Sequence, residues 1–198
     1  MNGEQLLLVT HANSDYGILD AGLRRKILDL ASDPRLAAIY VGKTDEGCIP
    51  EGTKLKPVPL GKPHAIGEIY GVDSLDGYFD MEMMFKSAIL AGGYFSDCLR
   101  ETSAAFLRRT IEMEGFPQVM LTFPSRGIFD FQIGERDPMN LEERLASEDI
   151  ADVFRLYCGH AREKYPNYAL TLQQNGKTVI QHGSMRNPYR ITLNIARS

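Results

Sequence analysis

The chain has few cysteines, no excess of basic residues and no apolar run long enough to cross a membrane. Its 198 residues carry 22 Lys and Arg against 26 Asp and Glu, a net charge of −4, so it lacks the concentrated positive charge of a nucleic-acid-binding protein. No run approaches the roughly 20 apolar residues of a membrane span, and the N-terminus lacks the basic start of a signal peptide. The three cysteines are far apart and odd in number, which does not suggest a disulfide framework. We therefore expect a cytoplasmic protein with no nucleic-acid or membrane partner.

Motifs for metals and nucleotide cofactors are also missing. The sequence contains no CxxC pair, and no zinc-ligand spacing links the four histidines, His11, His64, His160 and His182. Gly92-Gly93 does not form the GxGxxG fingerprint of a dinucleotide site. We expect neither a metal nor a cofactor, and the expected partner is a small-molecule substrate.

The order of apolar runs and helical patterns predicts the fold. Short apolar runs at 5–10, 36–41, 87–92 and 118–123 are typical of buried strands. Helical patterns cover 21–32, 75–85, 98–114 and 141–164, the last with a break near Ser147. This alternation predicts a Rossmann-like, three-layer α/β/α sandwich with a mainly parallel sheet. A chain of 198 residues suits one such domain.

Two further groups of strands are expected outside this core. Pro57 and Pro59 would confine a short strand at 54–60 to a sheet edge. Near the C-terminus, strands at 168–173, 178–182 and 189–195 surround Asn175-Gly176, the strongest short hairpin signal. We expect 165–198 to form an antiparallel β extension, and an exposed edge makes a homo-oligomer plausible.

The stretch at 87–102 brings a cysteine to the start of a helix. Gly92 and Gly93 follow the strand at 87–92, and Ser96 or Asp97 can then cap the next helix. Cys98 therefore lies near a helix N-terminus at the carboxyl end of a strand, where unpaired amides and the helix dipole favour a thiolate. The alternative is that Cys98 is a small buried hydrophobic residue, as free cysteines often are.

Other polar side chains follow strand ends and belong to the same edge. His11 and Asp15 come after the first strand, and Arg126 follows 118–123. Either His11 or Asp15 can act as a base, whereas Lys62 can hold a thiolate or polarise a carbonyl. The alternatives are a surface loop for His11, an exposed lysine for Lys62 and a structural salt bridge for Arg126.

The Cys98 stretch resembles the isochorismatase-like cysteine hydrolases. The spacing from Gly92 to Cys98 and from Cys98 to Thr102 is the spacing of that family. The leucine-rich first strand with the polar turn at 11–16 is similar to the family's opening motif, and the similarity covers about residues 5–125. The family's fold is a three-layer α/β/α sandwich, in agreement with the fold predicted above.

The resemblance implies a set of site residues. The implied catalytic group is Cys98 as nucleophile, Lys62 as the family's lysine, and His11 or Asp15 as the base. Amides near Phe95–Cys98 would stabilise an oxyanion. The substrate-binding positions expected around them are Gly93, Tyr94, Phe95, Ser96, Asp97 and Arg126.

Two functions are therefore open. The first is a cysteine-dependent hydrolase acting on a C–N or ester bond of a small molecule, which the intact Gly92-to-Thr102 spacing favours. The second is a non-catalytic α/β binding or assembly protein that keeps the fold and the pocket. It is favoured by His11, which stands where the family has its catalytic aspartate.

Overall fold

The protein is a doubly wound α/β domain in a computed structural model that describes residues 5–10, 21–33, 36–42, 55–58, 85–130 and 139–197. Its strands are β1 (Gln5–Thr10), β2 (Leu36–Gly42), β3 (Leu55–Val58), β4 (Ser87–Gly92), β5 (Gln118–Pro124), β6 (Phe129–Asp130), β7 (Met139–Asn140), β8 (Ala169–Gln174), β9 (Lys177–His182) and β10 (Arg190–Ala196). Its helices are α1 (Ala21–Ala31), α2 (Cys98–Leu107), α3 (Leu141–Ser147), α4 (Ile150–Val153) and α5 (Arg155–Lys164). A π-helical turn, Arg108–Met113, continues α2.

Eight of the strands form one sheet in the order β3-β2-β1-β4-β5-β10-β8-β9. Every neighbouring pair is parallel except β8 and β9, which form an antiparallel hairpin. β6 and β7 make a separate two-stranded ribbon. The mainly parallel sheet and the antiparallel hairpin confirm the predicted fold class.

Helices cover both faces of the sheet. On β1, Leu7 and Val9 pack with Ile27 of α1, whereas Leu6 and Leu8 belong to the larger core that includes α2 and α5. Successive side chains of a strand point to opposite faces, so a strand buried on both sides is apolar throughout. The three-layer α/β/α arrangement predicted from the sequence is confirmed.

Local sequence signals explain several element boundaries. Pro57 lies in β3, which is the edge strand of the sheet, as predicted. Asn175 has a φ of 52° and Gly176 a φ of 77°, so the predicted turn between β8 and β9 is confirmed. Asn140 caps α3 by accepting a hydrogen bond from the amide of Glu143, in a complete capping box.

The structure also corrects some boundaries. The helical pattern at 141–164 breaks after Ser147 as predicted, and it breaks again at Phe154, which gives three helices. The C-terminal strands continue the main sheet, because β10 pairs in parallel with both β5 and β8. Most of the helix predicted at 75–85 lies outside the described residues; Phe85 is described, and it is buried and not helical. Within the described ranges, no helix is long and apolar enough to cross a membrane.

Candidate active site

The strand order places the candidate site at the switch point of the sheet. From β1 the order runs through β2 to β3 on one side, and through β4 to β5 on the other. In open α/β sheets, ligands bind at the carboxyl ends of the strands where the order reverses in this way. Thr10, the last residue of β1, is paired with Gly92, the last residue of β4. The ends of β1 and β4 are therefore neighbours at this edge of the sheet.

Gly92 and Gly93 allow the chain to leave β4 in close contact with its neighbours. Gly92 has a φ of 93°, and a Cβ atom there would lie 1.9 Å from the carbonyl oxygen of Thr10. A Cβ atom on Gly93 would lie 2.0 Å from the ring of Phe129. The amide of Gly93 donates to the Thr10 carbonyl at 2.7 Å, and the following peptide bond to Tyr94 is cis. Only glycine fits at either position.

Cys98 is the first residue of α2, as predicted, and only 4% of it is exposed. The pKa of its thiol is raised from 9.0 to about 11, first by burial and then by the carboxylates of Asp97 and Glu101. The backbone amides of Tyr94 and Cys98 act in the opposite direction and lower the pKa of the thiol. In these surroundings the thiol is protonated at neutral pH.

The start of α2 is fixed by hydrogen bonds along the backbone. The amides of Asp97 and Leu99 both donate to the carbonyl of Tyr94, at 3.1 and 2.9 Å. Asp97 occupies the N-cap position, but its side chain makes no capping hydrogen bond. The hydroxyl of Thr102 donates to the Cys98 carbonyl at 2.9 Å and lies 3.3 Å from the hydroxyl of Thr10, which links the first turn of α2 to the end of β1.

A buried ion-pair network holds the loop before Cys98. Asp130 accepts hydrogen bonds from the amide of Ser96, at 3.2 Å, and from its hydroxyl. The guanidinium of Arg144 donates to the Ser96 hydroxyl at 2.8 Å and pairs with Asp130 and with Glu148. Since Asp130 is 4% exposed, this pair is screened less than a surface salt bridge. Ser96 therefore serves to anchor the loop rather than to cap the helix.

The side chain of Phe95 anchors the same loop in the core. Its ring is almost fully buried and stacks on Tyr157 at a centroid distance of 4.8 Å, with Phe154 at 5.0 Å and Phe123 at 6.1 Å. The hydroxyl of Tyr157 donates to the Phe95 carbonyl. This aromatic cluster ties α5 to the loop that precedes Cys98.

The structure brings together one half of the predicted site. Gly93, Tyr94, Phe95, Ser96 and Asp97 form the loop that enters α2 at Cys98. Tyr94 is half-buried and meets Phe129 edge to face at 5.8 Å, and Asp97 is exposed. The other predicted catalytic residues, His11, Asp15 and Lys62, lie outside the described residues.

Arg126 lies after β5, at the same edge of the sheet, and its guanidinium pairs with Glu142 of α3. Both side chains are substantially exposed, at 61% and 35%. The ion pair agrees with the alternative of a structural salt bridge for Arg126. The side-chain hydrogen bond to Arg126 also lowers the pKa of Glu142.

Sequence reasoning missed Asp130, Arg144 and the pair of threonines at positions 10 and 102. Asp130 lies 34 residues from Ser96, and Arg144 lies 48 residues from it. Neither contact leaves a local sequence pattern. The sequence offers one signal for these residues. Asp130 and Arg144 both follow β5 in the chain, and the carboxyl end of β5 lies at the same edge of the sheet as Cys98.

Within the described ranges, no group of three or more His, Cys, Asp or Glu side chains is arranged to hold a metal ion.

Comparisons with known proteins assign this chain to no family. A scan against protein-family models, a search of curated proteins and a search of solved structures each returned no match to this chain.

Proposed function

We propose that this protein is an isochorismatase-like cysteine hydrolase that cleaves a C–N or ester bond of a small molecule, with Cys98 as the nucleophile. One observation carries the proposal. The Cys98 thiol belongs to the first residue of α2, beside the switch point of the sheet, and the backbone amides of Tyr94 and Cys98 lower its pKa against the effect of burial. A nucleophile with preorganised amide donors next to it is the arrangement that acyl transfer requires.

The raised pKa of Cys98 defines what else the reaction needs. A thiol with a pKa of about 11 is protonated at neutral pH, so a base must remove its proton as the sulfur attacks the carbonyl carbon. His11 or Asp15 is proposed for that role, and Lys62 is proposed to stabilise the developing thiolate. The amides of Tyr94 and Cys98 would hold the oxyanion of the tetrahedral intermediate.

The remaining steps follow from acyl transfer. The C–N or C–O bond of the substrate breaks, and the base returns its proton to the leaving amine or alcohol. Water, activated by the same base, then hydrolyses the thioester on Cys98 and releases the acid. This chemistry needs a reduced thiol, which supports a reducing, cytoplasmic compartment.

The proposal is tested by Cys98→Ser, with Cys158→Ser as a matched control. Both cysteines are free and buried, and Cys158 lies in the apolar core. A serine at position 98 is nearly isosteric with cysteine but far less nucleophilic, so we expect little change in Tm and a loss of most of the turnover. A serine at position 158 buries an unsatisfied hydroxyl, so we expect a lower Tm and unchanged turnover per folded molecule.

Turnover would be measured on a panel of small aryl esters and amides, beginning with p-nitrophenyl acetate, and Tm by calorimetry. A stably folded Cys98→Ser protein with full turnover would remove Cys98 from the mechanism. Hydrolysis that is lost only in Cys98→Ser supports the proposal.

A second function, a non-catalytic α/β binding protein, is favoured by the electrostatics of the thiol. Burial, Asp97 and Glu101 all raise the pKa of Cys98, whereas a catalytic cysteine ordinarily has a depressed pKa. This candidate predicts that no ester or amide in the panel is cleaved and that Cys98→Ser changes only stability.

A further inference from the structure

A second cavity opens at the opposite edge of the sheet from Cys98. It has a volume of about 410 Å³ and lies at the amino ends of β1, β4, β5 and β10. Its lining is Gln5, Lys86, Ser87, Gln118, Val119, Met120, Arg190 and Thr192. The proposed hydrolase chemistry uses none of these residues.

The sheet register explains why polar side chains converge there. Thr192 of β10 is paired with Met120 of β5, and Met120 is paired with Ser87 of β4. Arg190 lies two residues before Thr192 and is paired with Gln118. Because side chains two residues apart point to the same face of a strand, these groups share one face.

The cavity has a positive charge that no carboxylate in its lining balances. Lys86 and Arg190 are its charged residues, and Asp and Glu are absent from the lining. In the part of the chain that the structure describes, neither cation has a carboxylate within 4.0 Å. Two cations that line one cavity, in a protein of net charge −4, attract anions of small size.

Ser87 adds a hydroxyl to the same cavity. Only 7% of the residue is exposed, and it is one of the residues that line the cavity. A hydroxyl in such a position gains from a hydrogen-bond partner that reaches it inside the cavity. A ligand oxygen there would accept a hydrogen bond from it.

We propose that this cavity binds a small organic dianion, a molecule with two negative charges carried on oxygen atoms. The guanidinium of Arg190 suits bidentate binding of a carboxylate or phosphate, and Lys86 supplies a second, compact charge. Ser87 and Thr192 supply hydroxyl donors, and Met120 supplies an apolar contact for the carbon atoms of the ligand. A phosphate monoester and a dicarboxylate share this chemistry.

The test is isothermal titration of the full chain with succinate and, separately, with glycerol 3-phosphate, at constant ionic strength. Acetate and glycerol serve as probes without the second charge or without any charge. We expect saturable binding of at least one dianion, and at least tenfold weaker binding of acetate. Succinate alone would identify a dicarboxylate site, and glycerol 3-phosphate alone a phosphate-ester site. Saturation by neither dianion would overturn the proposal.

Variants show whether the binding occurs in this cavity. Lys86→Gln and Arg190→Gln should each weaken dianion binding at least fivefold, and Ser87→Ala should weaken it without lowering the Tm of the free protein. Lys86 is exposed, so its variant is expected to fold. The matched controls Lys177→Gln and Arg186→Gln remove exposed cations elsewhere and should leave binding unchanged. Equal losses in the controls would show non-specific attraction and refute the site.

Discussion

The hydroxyl of Tyr157 makes a sharply testable contact between α5 and the loop before Cys98, because removing one oxygen atom deletes the hydrogen bond and keeps the stacked ring. The tyrosine is buried, and its hydroxyl donates to the carbonyl of Phe95, which is 1% exposed. Tyr157→Phe keeps the ring and its stacking on Phe95 but removes the donor. The carbonyl is then left buried without a partner, at a cost of about 1–3 kcal/mol.

The control is Tyr168→Phe. The hydroxyl of Tyr168 donates to the Phe116 carbonyl at 2.9 Å in a partly buried position, where water can replace it. Its removal should cost roughly 1 kcal/mol or less. Both variants remove a tyrosine hydroxyl that donates to a backbone carbonyl. The difference between their losses of stability therefore measures the effect of burying that hydrogen bond.

Urea denaturation and calorimetry give the result. A loss near 2 kcal/mol lowers Tm by about 4–8 °C in a chain of this length. Hydrogen exchange of the amides at 94–97 should also become faster in Tyr157→Phe and stay unchanged in Tyr168→Phe. If both variants lose the same stability, Tyr157 is not a buried donor to the loop.

The remaining predictions concern packing, the ion pair and pH. Gly93→Ala should lose about 1–3 kcal/mol of stability through overpacking. A Cβ atom at Gly159 meets no atom within 4 Å, so Gly159→Ala should gain about 0.5–1 kcal/mol by helix propensity. Urea denaturation of both variants measures these changes. Arg144→Gln removes the guanidinium that pairs with the buried carboxylate of Asp130 and should lose about 3 kcal/mol. Urea denaturation measures this loss, and a loss no larger than that of an exposed arginine would contradict the network. Burial raises the pKa of Cys98 and Cys158 from 9.0 to about 11, so each thiol stays protonated in the folded protein to a higher pH than in the unfolded chain. Its contribution to the free energy of unfolding is complete below pH 9 and is lost as the pH rises to 11. The loss is about 1–2 kcal/mol per thiol after allowance for solvent screening; Cys158→Ala should remove about half of it, and equal stability at pH 8 and pH 11 would contradict the burial of both thiols.

The elements of the fold follow from local sequence patterns. β1, β4 and β5 are apolar runs that are buried on the sheet, and their predicted bounds agree with the structure to within one residue. Pro57 identified an edge strand because proline cannot donate to a ladder. The start of α2 at Cys98 followed from two glycines and an acidic residue in sequence.

Contacts between distant residues could not be predicted in this way. β10 lies between β5 and β8, and no local pattern indicates that the last strand is inserted there. The network that joins Ser96 to Asp130 and Arg144 depends on the same tertiary arrangement. Phe95 was predicted to bind substrate from its position in the loop, but the orientation of its side chain into the aromatic core is set by residues of α5 and β5.

The most direct test of the account is the rate at which iodoacetamide alkylates Cys98 and Cys158 in the native protein at pH 7, followed by peptide mass spectrometry. The described surroundings raise the pKa of both thiols to about 11, so Cys158 is an internal control for a buried, inert cysteine. If Cys98 is the nucleophile of a hydrolase, the amides at its sulfur and the proposed base and lysine should make it react at least about tenfold faster. Equal and slow alkylation of the two cysteines would contradict the proposal that Cys98 is an activated nucleophile.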